Sequence, residues 1–176
     1  ANSHYFHYAL IILGALSFIV LFSNFKESMS QHELNEALKK NNAYVKKIEN
    51  DYKILAKNIN LLLFQKPEVL KLVKKAYQSN EGTRHNLRIQ LYNTLKEEYT
   101  ELKKLSFRQV HFHFPDNTSF LRMHKLDKFG DDLSKVRYSV ALTNKEKIFV
   151  HGFEEGRIVN GFRYVFPLSD PNDASH

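Results

Sequence analysis

Two short strands joined by a tight turn are predicted in residues 110–124, and this stretch constrains the fold more than any other part of the chain. Residues 111–114 alternate His and Phe, which is the spacing of a strand with one buried face. The turn is indicated by Pro115-Asp-Asn117, because proline fixes φ and Asp and Asn bond their own backbone. Residues 120–124 then resume an extended pattern, so the chain has to place a hairpin against a core.

The elements on either side of this turn predict the fold class. Strands are predicted over 107–114 and 119–124, a helix over 131–144, and two further strands over 148–153 and 162–166. Residues 170–173 resemble a hairpin loop whose returning strand is missing. Helices followed by two strands, a helix and two more strands predict an α+β fold, in which helices flank an antiparallel sheet.

A long helical stalk is predicted upstream, since no Gly or Pro interrupts residues 26–66. Residues that are apolar, apart from one asparagine, recur at alternating spacings of four and three, which is the pattern of a coiled-coil contact face. They are Leu34, Leu38, Asn41, Val45, Ile48, Tyr52, Leu55, Ile59 and Leu62. We call this row of residues the seam. A helix of about 40 residues is about 60 Å long, which favours a homodimeric stalk over an ordinary core helix. A lone amphipathic helix packed on its own domain is the alternative.

Two shorter helices are predicted between the stalk and the strands. Pro67 is well placed as the first residue of one helix. Thr83 is the predicted cap of the next, which should end near Leu105.

The first 25 residues contain no Asp, Glu, Lys or Arg and predict a transmembrane anchor over residues 8–25. A signal peptide and a buried core helix are the alternatives, but the basic start of a signal peptide is missing. The chain begins with Ala1, and we expect it to be a segment of a longer protein. The predicted domains are therefore 1–25 as anchor, 26–105 as stalk and two further helices, and 106–176 as a globular module.

The net charge of +7 does not point to nucleic acid as a partner. Residues 26–105 hold 16 Lys or Arg against 10 Asp or Glu, whereas residues 106–176 hold 10 against 9. A nucleic-acid protein is expected to concentrate its basic residues near its reading element. Here they are spread along helices, which indicates a solvated face or, less simply, a surface near anionic lipid.

Several spaced motifs resemble the double-Cache sensory domains of bacterial membrane receptors. The resemblance rests on residues 112–124, 129–133, 152–157 and 161–163, together with Arg137 and Asn144. It covers about residues 107–168. It implies a PAS-like sheet module outside the cytoplasm, held at the inner membrane, whose missing output domain is a histidine kinase, a chemotaxis signalling domain or a diguanylate cyclase.

Charged side chains near the predicted turns are the candidate ligand-binding residues. The set is Arg122, His124, Asp131, Arg137, Glu154 and Arg157. Arginine offers a rigid fork to a carboxylate, and acidic groups accept from an ammonium. We therefore expect a small organic acid, amino acid or similar metabolite. Structural ion pairs and loop caps are the alternative role for each residue.

No metal, cofactor or catalytic activity is expected from the sequence. Histidines stand at positions 111, 113, 124 and 151, but a closed zinc site needs about four converging ligands. There is no Gly-x-Ser-x-Gly, phosphate loop or His-Glu-x-x-His motif. The function classes left open are a receptor sensor, a structural coiled-coil membrane protein with a scaffold head, and an enzyme of unfamiliar chemistry.

Overall fold

The computed structural model describes the backbone of residues 2–156 and 160–168 and the side chains of residues 13–156 and 160–168. The elements are α1 (Asn2–Ile59), a π-helix (Asn60–Phe64), α2 (Pro67–Tyr77), α3 (Glu81–Lys104), β1 (His111–His113), β2 (Ser119–Arg122), α4 (Tyr138–Glu146), β3 (Val150–Glu154) and β4 (Gly161–Val165). The chain divides into two units, residues 1–52 and 53–176. Helices and small antiparallel sheets confirm the α+β class.

Residues 1–52 form the first unit, which is helical from Asn2. The seam residues Leu34, Leu38 and Val45 are each more than half exposed. Among the residues that the structure describes, no helix is long and apolar enough to cross a membrane. The predicted anchor falls partly on residues 1–12, whose side chains lie outside the described residues.

The predicted stalk helix ends earlier than expected, in a π-helix. The last α-helical residue is Ile59, and the backbone N–H of Gln65 donates to the carbonyl of Asn60 at 2.9 Å, which is the wider π spacing. Pro67 then begins α2, because its ring forces Lys66 into an extended conformation. The prediction of Pro67 as a first helical residue is confirmed.

The cap of α3 is Asn80 and not Thr83, so the predicted cap was wrong by three residues. The Asn80 side-chain oxygen accepts a hydrogen bond from the Thr83 backbone N–H at 3.0 Å. Both residue types suit the position, and the chain uses the earlier one because the helix begins at Glu81. The helix ends at Lys104, as predicted to within one residue.

The first hairpin packs one face against α2 and α3. Its strands are shorter than predicted, and a register shift after Phe112 leaves Phe120 as an extra residue on β2. The core holds apolar side chains from both helices and both strands: Val69, Ala76, Leu87, Leu91, Leu95, Tyr99, Phe112, Phe114, Phe120, Leu121 and Met123. The aromatic residues of the His-Phe alternation point inward, as the period of two predicted.

The helix predicted over residues 131–144 begins only at Tyr138. The segment before it forms turns, because Asp132 uses its carboxylate locally. Its Oδ1 accepts from the Ser134 backbone N–H and its Oδ2 from the Ser134 hydroxyl, each at 2.8 Å. Such local bonds compete with helix formation. The acidic start was therefore a turn signal and not a helix start.

The strands form two separate two-stranded sheets, β1–β2 and β3–β4, and not the one antiparallel sheet that was predicted. In the second hairpin Val150 is opposite Val165 and Glu154 is opposite Gly161. Within the described residues the outer edges of β1 and β4 have no strand partner. The hairpin loop predicted at 170–173 lies outside the described residues.

Candidate functional site

Arg122 and Asp131 form a bidentate ion pair at the end of β2. The two guanidinium nitrogens Nη1 and Nη2 donate to Asp131 Oδ1 and Oδ2 at 2.7 and 2.8 Å, and Nη1 also donates to the Lys128 carbonyl at 2.8 Å. The Arg122 side chain is 10% exposed and that of Asp131 is 42% exposed. The guanidinium hydrogen bond holds the pKa of Asp131 below its usual range. The pair closes the loop between residues 123 and 130.

That loop returns along the outer edge of β2. The Gly130 N–H donates to the Ser119 carbonyl at 2.8 Å, and the Ser119 N–H donates to the Asp131 carbonyl at 3.0 Å. Gly130 has a φ of +79°, a conformation that favours glycine. The edge of β2 is thereby covered, which fixes the position of Asp131 beside Arg122.

The face of the first hairpin opposite the core is polar. Strand pairing places His111 across from Arg122 and His113 across from Ser119. His111 Nε2 lies 2.8 Å from the Ser119 hydroxyl oxygen. Burial lowers the pKa of His111 to about 2, helped by His113 and Arg122, and lowers the pKa of His113 to about 4. Both imidazoles are therefore neutral at pH 7.

Helix α4 joins the two hairpins through polar side chains. The Asn144 side-chain amide donates to the Phe114 carbonyl and to the Asn117 side-chain oxygen, each at 2.9 Å. At the other end, the Ser139 hydroxyl donates to Glu154 Oε2 at 2.7 Å. The stripe of α4 that contains Ser139 and Thr143 is buried. The helix therefore touches the turn of the first hairpin and the end of β3.

Glu154 also faces Arg163 of the neighbouring strand. Arg163 Nε lies 2.8 Å from Glu154 Oε2, as an ion pair and not an aligned hydrogen bond, because this nitrogen has no hydrogen-bond partner among the described residues. Burial lowers the pKa of Arg163, and the nearby charge of Arg137 lowers it further. Arg137 itself donates to the Val136 carbonyl at 2.9 Å. The guanidinium groups of Arg137 and Arg163 thus lie near each other, and Arg163 faces Glu154.

Four of the six predicted ligand-binding residues fall into two groups. Arg122 and Asp131 contact each other, and Arg137 and Glu154 lie around Arg163. His124 is exposed and borders an open groove of about 820 Å³ along α3. Arg157 lies outside the described residues. Among the described residues, no hydrogen bond or ion pair joins Arg122 or Asp131 to Arg137 or Glu154. A single pocket formed by all six residues therefore stays a prediction.

Arg88 was missed by the sequence analysis. It is only 2% exposed on α3 and its Nε donates to the carbonyl of Phe120, the extra residue of β2, at 2.8 Å. Its guanidinium lies 3.5 Å from the centroid of the Phe129 ring, and Glu81 accepts from Nη2 at 3.2 Å. The sequence shows only that this arginine lies next to the apolar stripe of a predicted helix. Exposed arginines commonly occupy the same kind of position, so the pattern does not predict burial.

In the described part of the chain, no group of three or more His, Asp or Glu side chains is arranged to hold a metal ion. His111 and His113 lie side by side with ring centroids 5.7 Å apart, but no carboxylate joins them in such a group.

Comparison with known protein families gives a match over most of the chain. The profile of a family described as the double sensory domain of two-component sensor kinases (dCache_3) matches residues 28–171, most of the chain. Neither the curated proteins nor the solved structures include a match. The family match agrees with the motifs around the first hairpin and with the helical segment before it. The chain therefore belongs to the double-Cache family of ligand-sensing signalling domains.

Proposed function

We propose that this chain is the extracytoplasmic sensor of a bacterial transmembrane receptor, and that it binds a small anionic or zwitterionic metabolite. Family membership supports a sensory role. The ligand class is inferred from the polar cluster between α4 and the second hairpin.

The observation that carries the proposal is the excess of positive charge around Glu154. Arg163 and Arg137 lie near each other, yet among the described residues Arg137 has no carboxylate partner. The Arg163 and Glu154 side chains are 22% and 18% exposed, so this charge is partly shielded from water. A carboxylate on a ligand would offset the repulsion between the two guanidinium groups.

The cluster also explains how a zwitterion would be accepted. Glu154 Oε2 accepts from Ser139 and faces Arg163, and a carboxylate has further acceptor capacity for an ammonium group. The groups present bind and orient charge, and we propose binding and not turnover as their task.

Ligand-dependent melting of the whole chain tests the proposal. Succinate, glutamate and glycine serve as charged probes, and glucose as the neutral comparison. We expect a charged probe to raise the melting temperature. Arg137→Gln should weaken the affinity for that probe by about 10- to 150-fold, since one charged hydrogen bond contributes about 1.5–3 kcal/mol. Lys135→Gln, which removes an exposed charge two residues away, is the matched control.

The proposal fails if no charged probe shifts melting, or if Arg137→Gln and Lys135→Gln weaken binding equally. A scaffold head on a coiled-coil membrane protein, the alternative, predicts the first of these results. Binding through Arg122 and Asp131 stays a separate prediction, because these side chains already satisfy each other.

We also propose that residues 8–25 anchor the chain in the inner membrane and that α1 forms a parallel homodimeric stalk. The dimer is supported by the exposure of Leu34, Leu38 and Val45, because apolar seam residues of this kind could be buried against a second copy of the helix. A reporter fused after residue 100 should be active only on the non-cytoplasmic side, and cytoplasmic activity there would contradict the topology.

A further inference from the structure

The turn that follows α1 holds one residue more than a turn of an α-helix. The π-helix spans Asn60–Phe64. The Gln65 backbone N–H donates at 2.9 Å to the carbonyl of Asn60, whereas in an α-helix it would bond the carbonyl one residue later. Single π turns are rare and occur frequently at functional sites. The extra residue changes which side chains of this segment face the core.

Two neighbouring apolar residues, Leu63 and Phe64, compete for one place on the buried face. Ala56 is 4% exposed and marks the buried face at the end of α1. In an uninterrupted α-helix Leu63 would lie on that face, because positions i and i+7 share a face. The π turn adds one residue, so Phe64 takes this place instead. Phe64 packs against the core, with its ring centroid 5.5 Å from that of Phe112.

The second hairpin and the segment after it contact the chain on both sides of the π turn. Before the turn, Lys57 Nζ lies 5.2 Å from the centroid of the Phe149 ring. After the turn, Gln65 Nε2 donates to the Pro167 carbonyl at 3.0 Å. Phe149 stacks on Phe166, the residue before Pro167, with ring centroids 4.4 Å apart. An α-helical turn would rotate Gln65 relative to Lys57 by about 100°, so both contacts could not persist.

We propose that residues 60–64 are a one-residue register switch, held in its π form by the bond from Gln65 to the Pro167 carbonyl. The other state is α-helical and places Leu63 where Phe64 now lies. A switch requires an element with two arrangements and a contact that favours one of them. The second hairpin also holds Glu154 and Arg163, so a ligand bound there would act on the hairpin that sets the register. The inference goes beyond the proposed function, and its tests need no ligand.

Deletion of Leu62 tests whether the turn holds one residue too many. Leu62 is 65% exposed, and its removal leaves Phe64 at the α-helical spacing from Ala56. Phe64 and Gln65 should therefore keep their contacts in a regular helix. We expect the whole chain to keep its melting temperature or to melt higher.

Deletion of Thr94, an exposed residue in the regular helix α3, is the matched control. It rotates the buried Leu95 and Tyr99 by about 100° relative to Leu91, so the melting temperature should fall strongly. An equal fall in the Leu62 deletion would overturn the inference, because it would mean that the turn has no residue to spare.

Thiol labelling tests whether Gln65 sets the register. The chain has no cysteine, so Leu63→Cys introduces a single reactive thiol. Leu63 is half-buried in the π form and would move against Phe112 in the α-helical form. Gln65→Ala removes one hydrogen bond, which should shift the ratio of the two forms about 2- to 12-fold toward the α-helix. Labelling of Leu63→Cys by a maleimide should therefore become slower.

Two controls separate a change of register from unfolding of the turn. Gln90→Ala removes an exposed amide from α3 and should leave the labelling of Leu63→Cys unchanged. Leu62→Cys lies off the buried face in both forms, so Gln65→Ala should not change its labelling. Equal labelling of Leu63→Cys in Gln65→Ala and Gln90→Ala would overturn the switch. Faster labelling of both thiols in Gln65→Ala would also overturn it, because the turn would then be unfolding.

Discussion

Arg122 makes three hydrogen bonds, and all of them hold the loop that follows β2. Its ion pair with Asp131 is the arrangement expected of a structural clamp, since neither group faces a free partner. The sequence placed these residues near a turn, but their mutual distance was decided by the hydrogen bonds that bring Asp131 along the edge of β2.

Arg122→Ala should lower the melting temperature of the ligand-free protein. Removing the buried guanidinium should lower the free energy of unfolding by about 1–2 kcal/mol. This value is at the low end for a charged pair because the Asp131 side chain is 42% exposed. Differential scanning calorimetry measures the change, with the exposed Lys125→Ala as control. If Arg122 instead binds ligand directly, the melt will not change and the affinity for the charged probe will fall.

Stability should decrease when the pH falls from about 6.5 toward 4. The folded pKa of His113 is about 4, below the ordinary value of 6.5, so the unfolded chain takes up the proton first. The neutral imidazole therefore contributes stability above pH 6.5 that is lost on acidification, amounting to about 2 kcal/mol at pH 5. Denaturant melts at pH 5 and pH 8 measure it.

His113→Phe should reduce this pH dependence by the part that His113 contributes, because phenylalanine has no titratable group. The neighbouring His111, whose pKa burial lowers to about 2, should retain its own part. His85→Phe at an exposed helical position is the matched control and should retain the slope. An unchanged slope in His113→Phe would mean that the histidine is not buried as a neutral ring.

At the scale of the elements, α4 contacts both hairpins through polar side chains. Asn144 joins it to the first hairpin, and Ser139 joins it to the second. Any change that separates the hairpins must therefore break one of these contacts.

Asn144→Ala should loosen α4 while leaving α3 unchanged. The substitution removes two hydrogen bonds, after which the Phe114 carbonyl keeps the Asn117 backbone N–H as its donor, at a cost of about 1–3 kcal/mol. Hydrogen exchange should become faster in α4 and at Asn117, with Lys145→Ala as the exposed neighbouring control. Equal exchange in both variants would mean that α4 is held in another way.

At the scale of the whole molecule, the proposed dimer makes a prediction for residues 1–52. Leu38→Glu with Val45→Glu places charges on two seam residues that are 51% and 56% exposed, so the fold of a monomer should tolerate them. Self-association should weaken, because each charge would be buried against the partner helix. Sedimentation of the whole chain in detergent measures this.

Ala43→Glu with Asn50→Glu adds the same charge at exposed positions away from the seam. This control should associate like the natural sequence. A monomeric natural sequence, or equal weakening in both double variants, would contradict the stalk dimer.

The sequence by itself determined the features that depend on local spacing. The helical region before the strands, the start of α2 at Pro67, the inward-facing Phe112 and Phe114 and the double-Cache motifs were all predictable. Each follows from the spacing of apolar residues along the chain or from the backbone preference of a single residue. Both act between neighbours in the sequence and do not depend on distant residues.

Only the tertiary structure decided where polar side chains meet. The bulge at Phe120 and its bond to Arg88 depend on contacts between residues that are not neighbours in the chain. Electrostatic and hydrogen-bond energies change steeply with distance, and distance is set by packing. For that reason the sequence showed which groups were available, and the fold chose their partners.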